Sequence, residues 1–169
     1  MNYTQVSGTP YSFNPEIGPR LAELAAKVIH LREDGPLSGD GLVLIRKYFR
    51  IKNIYNSNAI EGNLLDLGET RSVVEQGLTI SGKSLCDQAE ARNLGQALDF
   101  LEEIIQDPDS PVAVHQLREL HLLILKGIDD DNAGAYRTTD VEISGSQFKP
   151  PSHFRIAAEM EEFDRWLQG

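Results

Sequence analysis

Apolar positions recur with a helical period along most of the chain. Leu21, Leu24, Ala25, Val28 and Leu31 fall at i, i+3, i+4, i+7 and i+10, which predicts an amphipathic helix over residues 18–32 that Asp34-Gly35-Pro36 ends. His30 lies in its last turn and reads as structural. A second helix is predicted over 40–61, with Asp40 as N-cap. It carries two stripes, Leu42, Ile45 and Phe49, then Leu44, Tyr48, Ile51 and Tyr55. Two stripes predict burial on much of the circumference, so this helix is expected to run through the domain. Asp66-Leu67-Gly68-Glu69 reads as a capping box that opens a short helix, and Gly77 stops it after about Gln76. Residues 79–83 read as a turn or brief extended segment. Ser84, with Asp87 three residues on, opens a longer helix carrying Ala89, Leu94, Ala97, Leu98, Leu101, Ile104 and Ile105, which Asp107-Pro108-Asp109 breaks. Ser110 followed by Pro111 predicts a cap with Pro at the first helical position. The helix that follows carries Val114, Leu117, Leu120, His121, Ile124 and Leu125, and Gly127 closes it.

From residue 128 to 151 the helical period disappears. Val141, Ile143 and Phe148 alternate with polar residues around Ser144-Gly145-Ser146, which predicts a short β-hairpin or extended flap. Pro150-Pro151 ends it, and Ser152 is expected to cap a last helix carrying Phe154, Ala157, Ala158, Met160, Phe163, Trp166 and Leu167. Residues 1–16 are polar and read as an N-terminal arm. The pattern describes a mainly α protein, a helical bundle with one small β-hairpin.

Composition adds limits. A chain of 169 residues, 40% hydrophobic and 25% charged, fits one soluble globular domain. A net charge of −10 argues against nucleic acid as a partner. Arg46, Lys47, Arg50 and Lys52 cluster locally and read as the wet face of a helix, ahead of an anion site. No run is long and apolar enough for a membrane span, and Met1-Asn2-Tyr3-Thr4-Gln5 shows no secretory signal. The lone Cys86 excludes an internal disulfide, fits a reducing compartment and is expected to fill space near a helix start. A cytoplasmic location is expected.

The chemistry-bearing residues are few. Ser57 and Glu61 are four apart, so on a helix they share a face, and Gly62 can leave the helix with positive φ. A carboxylate held there suits clamping a cation. Counting from Asp129 as an EF-hand loop, Asp131, Gly134 and Asp140 fit, but Ala133 offers no ligand at position five. His115, Glu119 and His121 lack the i, i+4 histidine spacing of a zinc helix. No Walker loop and no nucleophile elbow is present, so these residues alone present no catalytic constellation and no metal site.

Several stretches together resemble the Fic (Fido) family, whose members transfer AMP from ATP to protein hydroxyls. Tyr55-Asn56-Ser57-Asn58-Ala59-Ile60-Glu61-Gly62-Asn63 is similar to the family's inhibitory-helix motif, [S/T]-x-x-x-E-[G/N]. Residues 67–83 resemble the segment that follows it. Gly134-Ala135-Tyr136-Arg137, then Val141-Glu142-Ile143, resembles the lead into the family's active-site flap, and Phe148-Lys149-Pro150-Pro151 matches the flap's far end. Order and spacing agree from about Asn14 to Leu167.

The resemblance implies a Fic-type helical bundle, with 17–105 as the N-terminal region bearing the inhibitory helix and 106–169 as the first part of the core with its flap. It implies that Ser57, Glu61, Gly62 and Asn63 are inhibitory, with Glu61 matching the acid that pairs with the last Arg of the family's catalytic loop. It implies that Val141, Glu142, Ile143, Ser144, Gly145 and Phe148 dock a protein target as an added strand, and that Gly134, Tyr136 and Arg137 are structural. ATP and Mg²⁺ are implied for the complete family enzyme. The catalytic loop H-P-F-x-[DE]-G-N-G-R-x-x-R is not in these 169 residues. The chain is therefore expected to be the regulatory and docking portion, inactive alone and binding neither ATP nor Mg²⁺ tightly. Its expected partners are a protein target, the missing core, another Fic protein that it inhibits in trans, or a second copy of itself. If the catalytic helices are absent, Tyr48, Ile51 and Tyr55 are expected to be partly exposed or covered by another chain.

Overall fold

The computed structural model describes residues 4–5, 12–14, 17–33, 35, 38–106 and 111–168. Two short strands, β1 (Thr4–Gln5) and β2 (Ser12–Phe13), pair antiparallel, with Thr4 opposite Phe13. Six helices follow: α1 (Ile17–Glu33), α2 (Gly39–Ile60), α3 (Leu67–Gln76), α4 (Leu85–Ile104), α5 (Val114–Leu125) and α6 (Ile156–Leu167). A single 3₁₀ turn, His153–Arg155, leads into α6. The protein is mainly α. The chain divides into two compact units, Met1–Arg46 and Lys47–Gly169.

In the first unit, α1 leaves its apolar positions Leu21, Leu24, Val28 and Leu31 exposed. Gly35, with φ near +88°, follows it; Asp34 and Pro36, expected to end this helix, lie outside the described residues. The start of α2 differs from expectation. Ser38, not Asp40, caps it: the Ser38 hydroxyl accepts the Gly41 N–H at 3.1 Å. Asp40 falls inside the first turn, where its charge suits the helix dipole.

The second unit holds the core. Ile54, Leu65, Val73 and Ala91 are buried together, with Val74, Ile80, Leu94 and Leu98 packed against them. α4 packs against α3 on one side and α5 on another, and α5 packs on α6. The expected burial around α2 is not found. Within α2 only Ile51 and Ile54 are buried; Tyr55 is half-buried, and Leu42, Leu44, Ile45, Tyr48 and Phe49 are exposed. Apolar spacing marks which positions could be covered, not which have a neighbour.

Polar side chains set the local turns. Asp66 and Glu69 form the expected reciprocal cap on α3, and Gly77 leaves it in the left-handed conformation. Ser84 caps α4 by accepting from Cys86 and Asp87 N–H. Buried Gln88 holds the intervening loop, accepting from Ile80 N–H at 2.7 Å and donating to the Ile80, Lys83 and Ser84 carbonyls. Asn93 donates to the Ile124 and Lys126 carbonyls, closing the end of α5. Cys86 is exposed rather than space-filling.

Two other helix starts are corrected. α5 begins at Val114, with Pro111 outside it, because the Gln116 side chain reaches back to accept the Ala113 N–H at 2.8 Å; Ser110 lies outside the described residues. Ser152 precedes the 3₁₀ turn and makes no side-chain cap, its hydroxyl donating to Asp140 instead.

Candidate functional site

The last turn of α2 and the segment after it form a tightly sewn exit. Gly62 takes φ near +96°, a conformation open mainly to glycine. Its N–H donates to Ala59 O, and Asn63 N–H donates to Asn58 O. The Asn63 amide then donates to Asp87 O and Glu90 Oε2, both at 2.8 Å, and its oxygen accepts Leu65 N–H at 3.0 Å. Leu64 N–H donates to Asp87 Oδ2, and the Lys83 ammonium donates to Leu64 O. This exit is thus fixed to the start of α4 from both sides.

That fixture leaves the carboxylate of Glu61 outside it. Glu61 is exposed, and among the described residues its side chain makes no hydrogen bond or ion pair. Ser57, one turn back, donates to Asn53 Oδ1 at 3.3 Å. The Asn58 side-chain nitrogen, between them, is buried without an acceptor among the described residues. Neighbouring carboxylates are Asp87 and Glu90, while Lys83 is already committed to Glu69 at 3.1 Å and to Leu64 O.

The second predicted region, residues 128–151, is a loop pinned at its stem. The Gly134 N–H donates to His121 Nδ1 at 3.1 Å, and Arg118 Nε donates to Gly134 O at 2.8 Å. Gly134 has φ near +66°, and a Cβ there would meet Leu122 Cβ at 3.0 Å and Arg118 O at 3.1 Å. The Arg118 guanidinium lies 5.0 Å from the Tyr136 ring centre, a cation–π contact. Arg137 then donates to Thr139 O at 2.7 Å and to Pro151 O, tying the two ends of the loop together.

Asp140 makes the second tie. Its Oδ1 accepts from His153 N–H at 2.8 Å and from the Ser152 hydroxyl at 3.0 Å, and it lies 2.8 Å from His153 Nδ1. The His153 backbone and side-chain donors, then Ser152, hold its pKa down at about 2. Beyond this stem, Val141, Glu142, Ile143, Ser144, Gly145 and Phe148 are all exposed. The expected hairpin is present as a turn: Ser146 N–H donates to Ile143 O, and Gly145 has φ near +75°. No strand ladder is formed across 141–148; the Ser146 and Phe148 N–H groups bond within the turn, to Ile143 O and Ser146 Oγ, and the rest of this backbone makes no hydrogen bond among the described residues.

No hydrogen bond or ion pair among the described residues joins Ser57 or Glu61 to the 128–151 loop. Arg118 and His153 were not singled out by sequence, and His121 and Asp140 only as metal ligands of patterns the spacing does not complete. Only the i, i+3 spacing of Arg118 and His121, which puts both on one helix face, hinted at a shared neighbour. The acidic run is accounted for internally: Asn132 donates to both Asp129 oxygens, and Asp130 accepts Gly127 N–H. Arg50 is not on a wet face, since it bonds Gly95 O and Asp99 at 2.7 Å.

No protein-family model matches the chain. It is 32% identical over 120 residues to a protein adenylyltransferase Fic of Nematostella vectensis, covering 71% of this chain and 27% of the relative. It is 32% identical over 115 residues to protein adenylyltransferase fic-1 of Caenorhabditis elegans, covering 68% and 22%. The chain thus spans about a quarter of the length of these curated relatives. Among solved structures, a C. elegans Fic-1 fragment superposes with TM-score 0.72 at 26% identity, covering 92% of this chain and 46% of that one. A Fic domain containing signaling protein from Bacteroides thetaiotaomicron gives TM-score 0.72 at 27% identity, covering 86% and 55%. With the helix-end motif and the pinned loop in the same order along the chain, these likenesses identify the chain as a member of the Fic (Fido) family.

Proposed function

We propose that this chain is the inhibitory and target-docking portion of a Fic-type protein adenylyltransferase, one that transfers AMP from ATP to protein hydroxyls. The observation that carries this reading is the uncommitted Glu61 carboxylate on a helix exit that Asn63, Asp87 and Lys83 hold rigid. A carboxylate carried on a fixed backbone and left without a cation among the described residues is suited to capture an arginine from elsewhere, because the backbone that presents it is already ordered. The exposed loop 141–148, with no strand ladder of its own and a pinned stem, suits strand addition by a target segment. In this reading 17–105 regulates and 106–169 docks.

In this reading ATP and Mg²⁺ belong to the complete family enzyme: Asp87 and Glu90 at the helix exit repel phosphates, and Lys83 there is committed to Glu69 and Leu64 O. The chain's own part is to position an inhibitory acid and a docking edge. The chemistry belongs to the H-P-F-x-[DE]-G-N-G-R-x-x-R residues that this sequence does not contain.

The test uses the chain as it stands with a catalytically competent Fic protein, labelled ATP and Mg²⁺. The chain alone is expected to label nothing, and its addition is expected to slow transfer by the competent partner. Glu61→Gly is expected to lose that inhibition. Label transfer by the chain alone, or equal inhibition by the Glu61→Gly variant, overturns the reading.

A further inference from the structure

A separate concavity lies well away from Glu61. A cleft of about 440 Å³ opens where α2, α3 and α4 meet, within the size range of small-molecule sites. Its floor is Ile51, Val74 and Gly95, and its rim carries Lys47, Arg50 and Arg92. Lys47 lies thirteen residues before Ile60, the end of α2 next to Glu61, a separation of about 20 Å at the helical rise. Gly95 lets α4 approach α3 closely here, since a Cβ would sit 3.1 Å from Val74 Cγ1.

The rim is unevenly committed. Arg50 is used up internally, donating to Gly95 O and pairing with Asp99 at 2.7 Å and Glu102 at 3.5 Å. Lys47 and Arg92, by contrast, make no hydrogen bond or ion pair among the described residues. In a protein of net charge −10, two uncommitted cations over an apolar floor run against the average field. Glu75 and Asp99 share the rim, and their charge disfavours ligands bearing several negative charges. A single carboxylate is the group that one guanidinium fork and one ammonium can hold without that penalty.

We infer that this cleft binds a small monocarboxylate with an apolar body. The body would lie over Ile51 and Val74, and the carboxylate between Lys47 and Arg92. The inference stands apart from the adenylyltransferase reading, since neither Glu61 nor the 128–151 loop takes part.

The test is a titration of the full chain with phenylacetate, followed by amide shifts in nuclear magnetic resonance spectra. Saturable shifts centred on Ile51, Val74 and Gly95 are expected. Acetate, lacking the apolar body, should bind at least tenfold more weakly. The double variant Lys47→Gln, Arg92→Gln removes two exposed side chains that hold no structural bond, so the fold should persist, and its dissociation constant should rise at least tenfold. Absence of saturable shifts, an unchanged constant in the double variant, or equal binding of benzylamine overturns the inference.

Discussion

Asp140 is an exposed carboxylate that three donors from Ser152 and His153 hold ionised, with its pKa at about 2 instead of 3.8. A lowered carboxylate pKa means that the folded state favours the charged form. The tie it makes is complete above the unfolded value near pH 4 and is lost as pH falls towards 2. The Ser152 and His153 amide resonances are therefore expected to move together in that window, and Asp140→Asn should abolish the transition. Gly134 is constrained twice over, by its positive φ and by Leu122 and Arg118. Gly134→Ala is expected to cost roughly 2–4 kcal/mol in denaturant titration. Sequence marks Gly134 as a motif glycine, but gives no sign that His121 Nδ1 is the acceptor for its amide. That pairing depends on how the chain folds back on α5 over thirteen residues.

Among the elements, those set by short-range bonds were legible. The α3 cap needs only Asp66 and Glu69, and the α4 start needs only Ser84 with the next two amides. Elements set by distant partners were not. Ile54, fully buried in α2, belongs to neither stripe read from the sequence, although it lies three residues after Ile51. Burial there is decided by Leu65 from the α2–α3 connection and by Val73 and Ala91 from α3 and α4. Gln116 reaching back to Ala113 likewise overrides the proline signal at Pro111. The 128–151 loop is the clearest case: its alternation fits a short hairpin or an extended flap, and which of the two forms depends on a stem closed by Arg137, over which the chain makes a turn. Arg137→Met is therefore expected to speed hydrogen exchange across 138–151 by about tenfold, the loss of roughly one net charged hydrogen bond, while α5 protection stays unchanged.

At the scale of the whole molecule, the stabilising contacts and the proposed functional groups are largely separate. Core residues and the Asn63, Gln88 and Asn93 amides hold the second unit, while Glu61 and 141–148 face outward. Glu61→Gly is accordingly expected to change unfolding free energy by no more than about 0.5 kcal/mol, measured by denaturant titration. A larger loss would show that the carboxylate serves the fold itself. The family was legible because its motif residues sit at turns that any folded copy must make. The cleft between α2, α3 and α4 was not, because Lys47 on α2 meets Arg92 and Gly95 on α4 only through the packing of separate helices.

The position of Cys86 has a practical side. It is the chain's one cysteine, exposed on the first turn of α4, and its thiol lies 3.7 Å from Glu90, which also accepts from Asn63. Desolvation, then Glu90, pushes its pKa above 9.0, so the sulfur reacts slowly at neutral pH and readily in alkali. A dye attached there under alkaline conditions becomes a reporter joined to the α2 exit through Glu90 and Asn63, able to signal by fluorescence when a cation from another chain settles on Glu61.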